Sequence, residues 1–306
     1  MDDKQFQAAL TELKTLHDIL LWGQAHFEQA GLVYGHGTDN AWDEALAIIT
    51  ACLDLPADCP REYLHLPVTL EQRQQILALF KRRIEERIPA AYLIHRAYFM
   101  GLPFYVDERV LIPRSPLAEF IEDGVDLWIA SDLVHRICDM ATGSGCIAIA
   151  MAYKFDHAMV DAVDISEEAL EVAKRNIEDH QLRDRVTPIQ SDLFQQLGEH
   201  RYDIIISNPP YVDANDLASL PPEYSYEPKL GLAAGVDGLA IVERILKQAS
   251  HHLTSQGILV VEVGNSQQAL IEKFPQVPFI WLEFARGGDG VFLLTADELQ
   301  QHFGDL

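Results

Sequence analysis

The chain has 306 residues, 48% hydrophobic and 23% charged, which is ordinary for a globular protein and excludes collagen, coiled coil and bulk disorder. Its charge is not ordinary: 47 acidic against 23 basic residues give a net of −24. That balance weighs against a protein that grips nucleic acid through its phosphates, and it favours a basic partner. The acidity is uneven, with residues 1–92 at net −6 and residues 93–306 at net −18.

Residues 1–91 read as a small helical domain. Phe6, Leu10, Leu13 and Leu20 recur at helical spacing, and Trp42, Ala45, Leu46 and Ile49 form a second stripe. Thr69 and Gln72 make a capping box before a helix carrying Ile76, Leu77, Phe80 and Ile84, and Pro89 lies just past its end. Residues 92–116 change character. Aromatic and β-branched residues surround Gly101, which predicts a hairpin or linker, and a helix is expected from Leu117.

From residue 134 apolar strands alternate with amphipathic helices. Strands are expected at Val134–Cys138, Met159–Val163, Val186–Gln190, Tyr202–Ser207, Ile258–Val263, Phe279–Phe284 and Val291–Thr295. Helices are expected at Cys146–Lys154, Glu167–Glu178 and Leu239–Leu253. This is the pattern of an α/β fold with a doubly wound, mostly parallel, seven-stranded sheet over residues 117–306. Only Ala285–Gly290 separate the last two strands, too few residues for a parallel crossover, so that pair is expected to be antiparallel.

Cys52, Cys59, Cys138 and Cys146 form no CxxC pair and join no histidine cluster at zinc spacing. No metal site is expected, and reduced thiols suit a cytoplasmic protein. Met1-Asp2-Asp3-Lys4 offers no basic or apolar leader pattern, and no run has the length of a membrane span.

Four segments carry chemistry. Asp139-Met140-Ala141-Thr142-Gly143-Ser144-Gly145 follows the first sheet strand and opens a helix, where glycines let a ligand approach the backbone beside the helix N-terminus. Asp164, with Ile165 after it, ends the next strand, where a carboxylate can accept both hydroxyls of a ribose; Asp161 faces the other way and reads as structural. Ser191-Asp192-Leu193-Phe194 follows the third strand; Asp192 can accept from an adenine amine with Leu193 against the ring, though a plain turn is the simpler reading of that segment alone. Asn208-Pro209-Pro210-Tyr211 follows the fourth strand. The two prolines lock the backbone, so the Asn208 side-chain carbonyl and the Pro209 carbonyl can face one point, with the Tyr211 ring nearby. Two acceptors and a flat ring suit a planar –NH₂ group. Order alone places residues 141–145 and Asn208 in one cleft at the carboxyl ends of the first and fourth strands.

These segments, in this order and spacing, are similar to those of the class I S-adenosylmethionine-dependent methyltransferases that modify planar nitrogens, whose fold is Rossmann-like. From about Thr69 to Thr295 the chain resembles the protein-glutamine methyltransferase family. Gly101-Leu102-Pro103-Phe104, Leu111-Ile112-Pro113-Arg114 and Glu227-Pro228-Lys229-Leu230 carry that closer resemblance. One branch of the family modifies peptide chain release factors and usually continues Pro-Arg with Pro-Asp-Thr-Glu. This chain reads Arg114-Ser115-Pro116-Leu117-Ala118-Glu119, which looks like the branch that modifies a glutamine in large-subunit ribosomal protein three.

The resemblance implies S-adenosylmethionine as cofactor and S-adenosylhomocysteine as product; the charge balance favours a basic protein substrate, and residues 1–91 are the candidate to recognise it or a cap that only supports the sheet. It places the catalytic corner at Asn208, Pro209, Pro210 and Tyr211. Cofactor contacts fall at Asp139, Ala141, Thr142, Gly143, Ser144, Gly145, Asp164, Ile165, Asp192, Leu193 and Asn208. Arg114 and Glu119 are candidates to close the pocket, and Glu227-Pro228 to shape its substrate side. The family's loop usually has glycine where this chain has Ala141, which tolerates less unusual backbone geometry and bears on ligand approach there. Release-factor methylation, adenine-amine methylation of nucleic acid, and a non-catalytic ribosome-assembly role are the competing readings.

Overall fold

The computed structural model describes residues 3–235 and 237–304. The chain packs as two compact units, residues 1–97 with 221–226, and residues 98–220 with 227–306.

The first unit is helical: α1 (Asp3–Glu12), α2 (Leu16–Gln29), α3 (Ala41–Leu53), α4 (Leu70–Glu86) and α5 (Ala90–Ile94). The apolar stripe from Phe6 to Leu20 is shared between two helices. Thr15 interrupts it by forming a capping box with Asp18, which starts α2 afresh. The expected box of Thr69 and Gln72 starts α4, and the left-handed Arg87 ends it before Pro89. Leu16, Ile19, Leu20, Phe27, Ile48, Leu77 and Phe80 are fully buried in its core. Each contributes roughly 1.5–3 kcal/mol by leaving water. Residues 221–226 join this unit through charge. Glu223, fully buried, accepts from the Val33 amide at 3.1 Å and lies 3.4 Å from Arg83 Nη1. Arg83 is also fully buried and pairs with Glu44.

The second unit begins with a two-stranded sheet of β1 (Ala97–Phe99) and β2 (Leu102–Phe104), turned through Met100 and Gly101, both at positive φ. The helix expected from Leu117 is one α turn, α6 (Leu117–Glu119), continuing as a π turn over Phe120–Gly124. The main sheet follows. Its elements are β3 (Arg136–Met140), α7 (Cys146–Lys154), β4 (Met159–Asp164), α8 (Glu167–Asp179), β5 (Val186–Gln190) and β6 (Tyr202–Ser207). Then come α9 (Ala214–Ser219), α10 (Ala240–Ala249), β7 (Leu253–Glu262), α11 (Gln267–Lys273), β8 (Ile280–Trp281), β9 (Val291–Thr295) and α12 (Ala296–Phe303).

The seven strands lie in the order β5-β4-β3-β6-β7-β9-β8. The first five are parallel, and β9 runs antiparallel to both β7 and β8, as the short Ala285–Gly290 connection requires. Alternate strand residues feed two cores. Ile137, Val160, Ile204 and Val260 pack with α7 on one face. Cys138, Val163, Ile205 and Leu259 pack with α10 and α12 on the other. The largest boundary differences from the sequence reading fall from the end of α10 onward. β7 starts at Leu253 rather than Ile258, because Thr254-Ser255-Gln256-Gly257 disguise its first half. The expected Leu239–Leu253 helix correspondingly stops at Ala249. β8 is two residues rather than six.

Chain order reverses direction between β3 and β6, which are adjacent, so a crevice opens at their carboxyl ends. Met140 and Ser207 are register partners there, and Ser207 Oγ donates to the Met140 carbonyl at 2.7 Å. That bond fixes where the loop after β3 stands relative to the corner after β6. No described helix is long and apolar enough to cross a membrane.

Candidate active site

A cavity of about 400 Å³ occupies this crevice, and every residue lining it belongs to the second unit. Its walls come from the loop after β3, the ends of β4 and β5, the corner after β6, and residues 108–115 and 228–233. This volume is in the range of small-molecule sites. No histidine lines it, and no group of described residues is arranged to hold a metal ion.

Ala141, Thr142, Gly143 and Ser144 line the cavity; Asp139 and Gly145 do not. Asp139 is fully buried behind the loop. Its Oδ2 accepts from Thr142 Oγ1 at 2.5 Å and from the Ala148 amide at 2.9 Å, which ties the loop to α7. Asp139, expected among the cofactor contacts, thus shapes the loop from behind the cavity wall. Its Oδ1 has no partner among the described residues, and burial pushes its pKa up to about 7. Gly145 is the residue before α7 at φ 80°, where a Cβ would lie 3.3 Å from Ala173 Cβ; it permits close packing on α8. Ala141 takes the left-handed conformation, φ 61°, despite its side chain. The loop thus keeps a glycine-like path through an alanine.

Asp164 and Ile165 line the cavity next to the loop. Asp164 Oδ2 accepts from the Gly143 amide and Oδ1 from the Ser166 amide, both at 2.9 Å. Burial raises its pKa and those amides oppose the rise. Each oxygen keeps a lone pair for a ligand. Asp161 is, as read, structural: it accepts from Arg136 at 2.9 Å and Tyr202 Oη at 2.8 Å.

Asp192 and Leu193 line the same cavity, and Asp192 is already held by a partner from elsewhere in the chain. Arg244 of α10 places Nη2 2.8 Å from both of its oxygens and also lines the wall. Arg244 escaped the sequence reading because it sits 52 residues away, on the polar side of an ordinary amphipathic helix.

Asn208 and Pro210 line the cavity, whereas Pro209 is buried beside it and Tyr211 stands behind. Among the described residues nothing hydrogen-bonds to the Asn208 side chain or to the Pro209 carbonyl. The flanking Ser207 and Tyr211 are both engaged. Ser207 bonds Met140 as described, and Tyr211 Oη donates to Glu262 Oε1 at 2.8 Å. Glu262 is a second residue the sequence reading missed. Its signal was a lone carboxylate closing an apolar strand at the same sheet end as Asp164 and Asn208.

Arg114 and Ser115 line the wall, and Arg114 makes a two-pronged ion pair with the buried Glu227 at 2.5 and 2.7 Å. Pro228 lines the cavity beside that pair. Glu119 does not close the cavity. It accepts from the amides of Ala285 and Arg286 and pairs with the Arg286 side chain, which pins the loop before β9.

Comparison with known proteins identifies the family. The Methyltransferase small domain family matches residues 127–220. Across 296 residues the chain is 48% identical to the ribosomal protein uL3 glutamine methyltransferase of Neisseria gonorrhoeae, covering 96% of this chain and 98% of that protein. The protein of the same description from Neisseria meningitidis serogroup B is also 48% identical, at 96% and 97% coverage. Among solved structures, the hMettl16 catalytic domain in complex with MAT2A 3'UTR hairpin 6 superposes with a TM-score of 0.50 at 20% identity, over 72% of this chain and 80% of that one. At that identity it shares the fold.

Proposed function

Since the chain belongs to the family of ribosomal protein uL3 glutamine methyltransferases, we propose that it methylates the side-chain amide nitrogen of a glutamine in ribosomal protein uL3, with S-adenosylmethionine as methyl donor. The observation that carries this reading is the pair of acceptors at Asn208 and Pro209, unpartnered among the described residues and flanked by Ser207 and Tyr211, which are both hydrogen-bonded. Asn208 is half-buried on the cavity wall, so its side-chain oxygen stays available to a substrate –NH₂.

The cavity fits the proposed donor. Asp164 offers acceptor capacity beside the glycine loop, as a ribose requires, and Asp192 with Leu193 provides an acceptor and an apolar face at the same wall. Gly143, at φ 55°, has open space where a Cβ would stand, so a ligand can approach that backbone closely. When bound, S-adenosylmethionine supplies an electrophilic methyl group on a sulfonium.

Every other step falls to the chain. An amide nitrogen is a weak nucleophile because its lone pair is delocalised, so alignment carries the catalysis. Asn208 Oδ1 and the Pro209 carbonyl take the two N–H bonds and orient the nitrogen. As positive charge develops there, the same two oxygens stabilise it. The proton leaves after transfer, so no strong base is needed. The net charge of −24 suits a basic ribosomal protein and opposes a nucleic-acid substrate. Residues 1–91, the helical block, serve in this reading to recognise the protein substrate.

The test is a methyl-transfer assay with labelled donor and peptide mass mapping. Unmethylated uL3, an unmethylated release factor and DNA are offered side by side. Label is expected on one glutamine of uL3. Label on the release factor alone keeps the chemistry and overturns the substrate, and label on DNA overturns both.

A further inference from the structure

Tyr211 is held at three points. Its ring lies against Gly264, where a Cβ would come within 2.6 Å of the ring's Cε2. Its carbonyl accepts from Ser266 Oγ at 2.9 Å, and a Cβ on Gly238 would stand 2.3 Å from that same oxygen. Its hydroxyl donates to Glu262 Oε1 at 2.8 Å. Glu262 is only 4% exposed, and its other oxygen accepts from Ser115 Oγ. Ser115 stands on the cavity wall, 147 residues from Glu262 in sequence. Two neutral hydroxyls thus donate to a buried carboxylate, with the Arg114 charge nearby in support. Burial raises the Glu262 pKa, and both hydroxyl bonds work against that rise. Losing either leaves an oxygen of a buried carboxylate unsatisfied, which the remaining partners can answer only by moving.

We infer that Ser115 and Glu262 are positioning residues for methyl transfer, acting together through the Tyr211 hydroxyl to fix the placement of Asn208 at the cavity. The inference rests on the reading of Asn208 as the group that holds the amide. The link between Tyr211 and Asn208 is Pro209-Pro210, whose φ angles are locked, so a shift at the tyrosine is passed on rather than absorbed. Misplacement of a reacting group by about 1 Å can cost on the order of a hundredfold in rate. The relay therefore acts on turnover and not on affinity for either substrate.

The experiment compares Ser115→Ala, Ser115→Thr, Glu262→Gln, Tyr211→Phe and the Ser115→Ala/Tyr211→Phe double variant, with Asn208→Ala in the same series. Initial rates on uL3 give kcat and KM, calorimetry gives S-adenosylmethionine affinity, and thermal melts report folding. Ser115→Ala, Glu262→Gln and Tyr211→Phe are each expected to lower kcat about tenfold, with KM and donor affinity within about twofold of wild type. Adding Ser115→Ala to Tyr211→Phe is expected to cost less than about twofold more, because both cut one chain of bonds. Ser115→Thr, which retains a hydroxyl, recovers most of the rate. A Ser115 that only supports the fold lowers the melting temperature and leaves kcat unchanged, or multiplies its loss onto that of Tyr211→Phe; either result overturns the relay. If Asn208→Ala is inactive while Ser115→Ala is fully active, the relay alone fails. If Asn208→Ala turns over normally, the reading of the corner fails and the relay with it.

Discussion

On the glycine-loop side of the cavity, the polar side chains are engaged with the loop's own backbone and hydroxyls. Asp139 holds Thr142 and Ala148, and Asp164 holds Gly143 and Ser166. On the side facing it, Asn208 and the Pro209 carbonyl hold nothing among the described residues, while Ser207 and Tyr211 beside them are fixed by Met140, Glu262 and Ser266. The difference separates two ways of building a site. One side makes a shape, in which side chains serve the backbone and the backbone meets the ligand. The other makes a pair of open acceptors on a rigid mount. Substitutions on the first side should therefore register in stability and its pH dependence. Substitutions at the open acceptors should register in rate.

The sharpest break of this contrast is Asn208→Ala. With no protein partner to lose, its melting temperature should stay within about 2 °C of wild type. Methyl transfer to uL3 should fall by about a hundredfold or more, as when a single transition-state hydrogen-bonding group is removed. A variant that loses its fold along with its activity would show that Asn208 serves the structure, and the two sides would no longer differ.

How far the sequence already disclosed this arrangement depends on the range of the interactions. Cys146–Lys154, Val186–Gln190, Tyr202–Ser207 and Val291–Thr295 are found with the boundaries that local periodicity gives. The motif segments Ala141–Ser144, Asp164, Asp192 and Asn208 do meet at one cavity, because strand order in a doubly wound sheet forces those ends together. What stayed hidden is non-local. Arg244 reaches Asp192 across 52 residues, Glu262 reaches Tyr211 across 51, and Glu227 reaches Arg114 across 113. A single charged residue in a helix or at a strand end has no periodicity of its own, so its partner is visible only in three dimensions. Asp139 and Glu119 show the inverse relation. Both are acidic residues in suggestive segments, and both turn out to hold backbone or hydroxyl donors outside the cavity.

Asp139 offers the next test, of a few kcal/mol. Its pKa in the folded chain, about 7, lies above the ordinary aspartate value near 3.8 because burial disfavours the charge. The unfolded chain therefore loses its proton first as pH rises. Folding stability contributed by this group falls from about pH 4 up to about pH 7 and is level above that. Asp139→Asn can keep the acceptor that Thr142 and Ala148 use while removing the charge. Urea unfolding between pH 5 and pH 8 should show a flatter stability profile for the variant than for wild type, by on the order of 3 kcal/mol across the window. S-adenosylmethionine affinity at pH 8 should stay within about threefold, since the side chain does not reach the cavity. Equal pH profiles would remove the buried charge from the account. A large affinity loss in a well-folded variant would return Asp139 to the ligand.

The smallest effect decides how the loop manages without a glycine at position 141. Ala141 sits at φ 61°, where an L side chain meets the following carbonyl at a cost of about 1–2 kcal/mol. Ala141→Gly relieves that strain. It also frees the unfolded chain, which works against folding by about 0.4–1 kcal/mol. The strain is the larger quantity, so the glycine variant should be more stable, by about 0.5–1 kcal/mol, seen as a rise of about 1–3 °C in melting temperature. Donor affinity should not fall by more than about twofold, because the backbone path that glycine favours is already in place. A lower melting temperature would mean that the Ala141 methyl group packs well enough to outweigh its backbone strain. In that case the substitution is a stabilising feature of this loop, and the glycine-loop side owes its shape to side-chain packing as well as to the hydrogen bonds of Asp139 and Asp164.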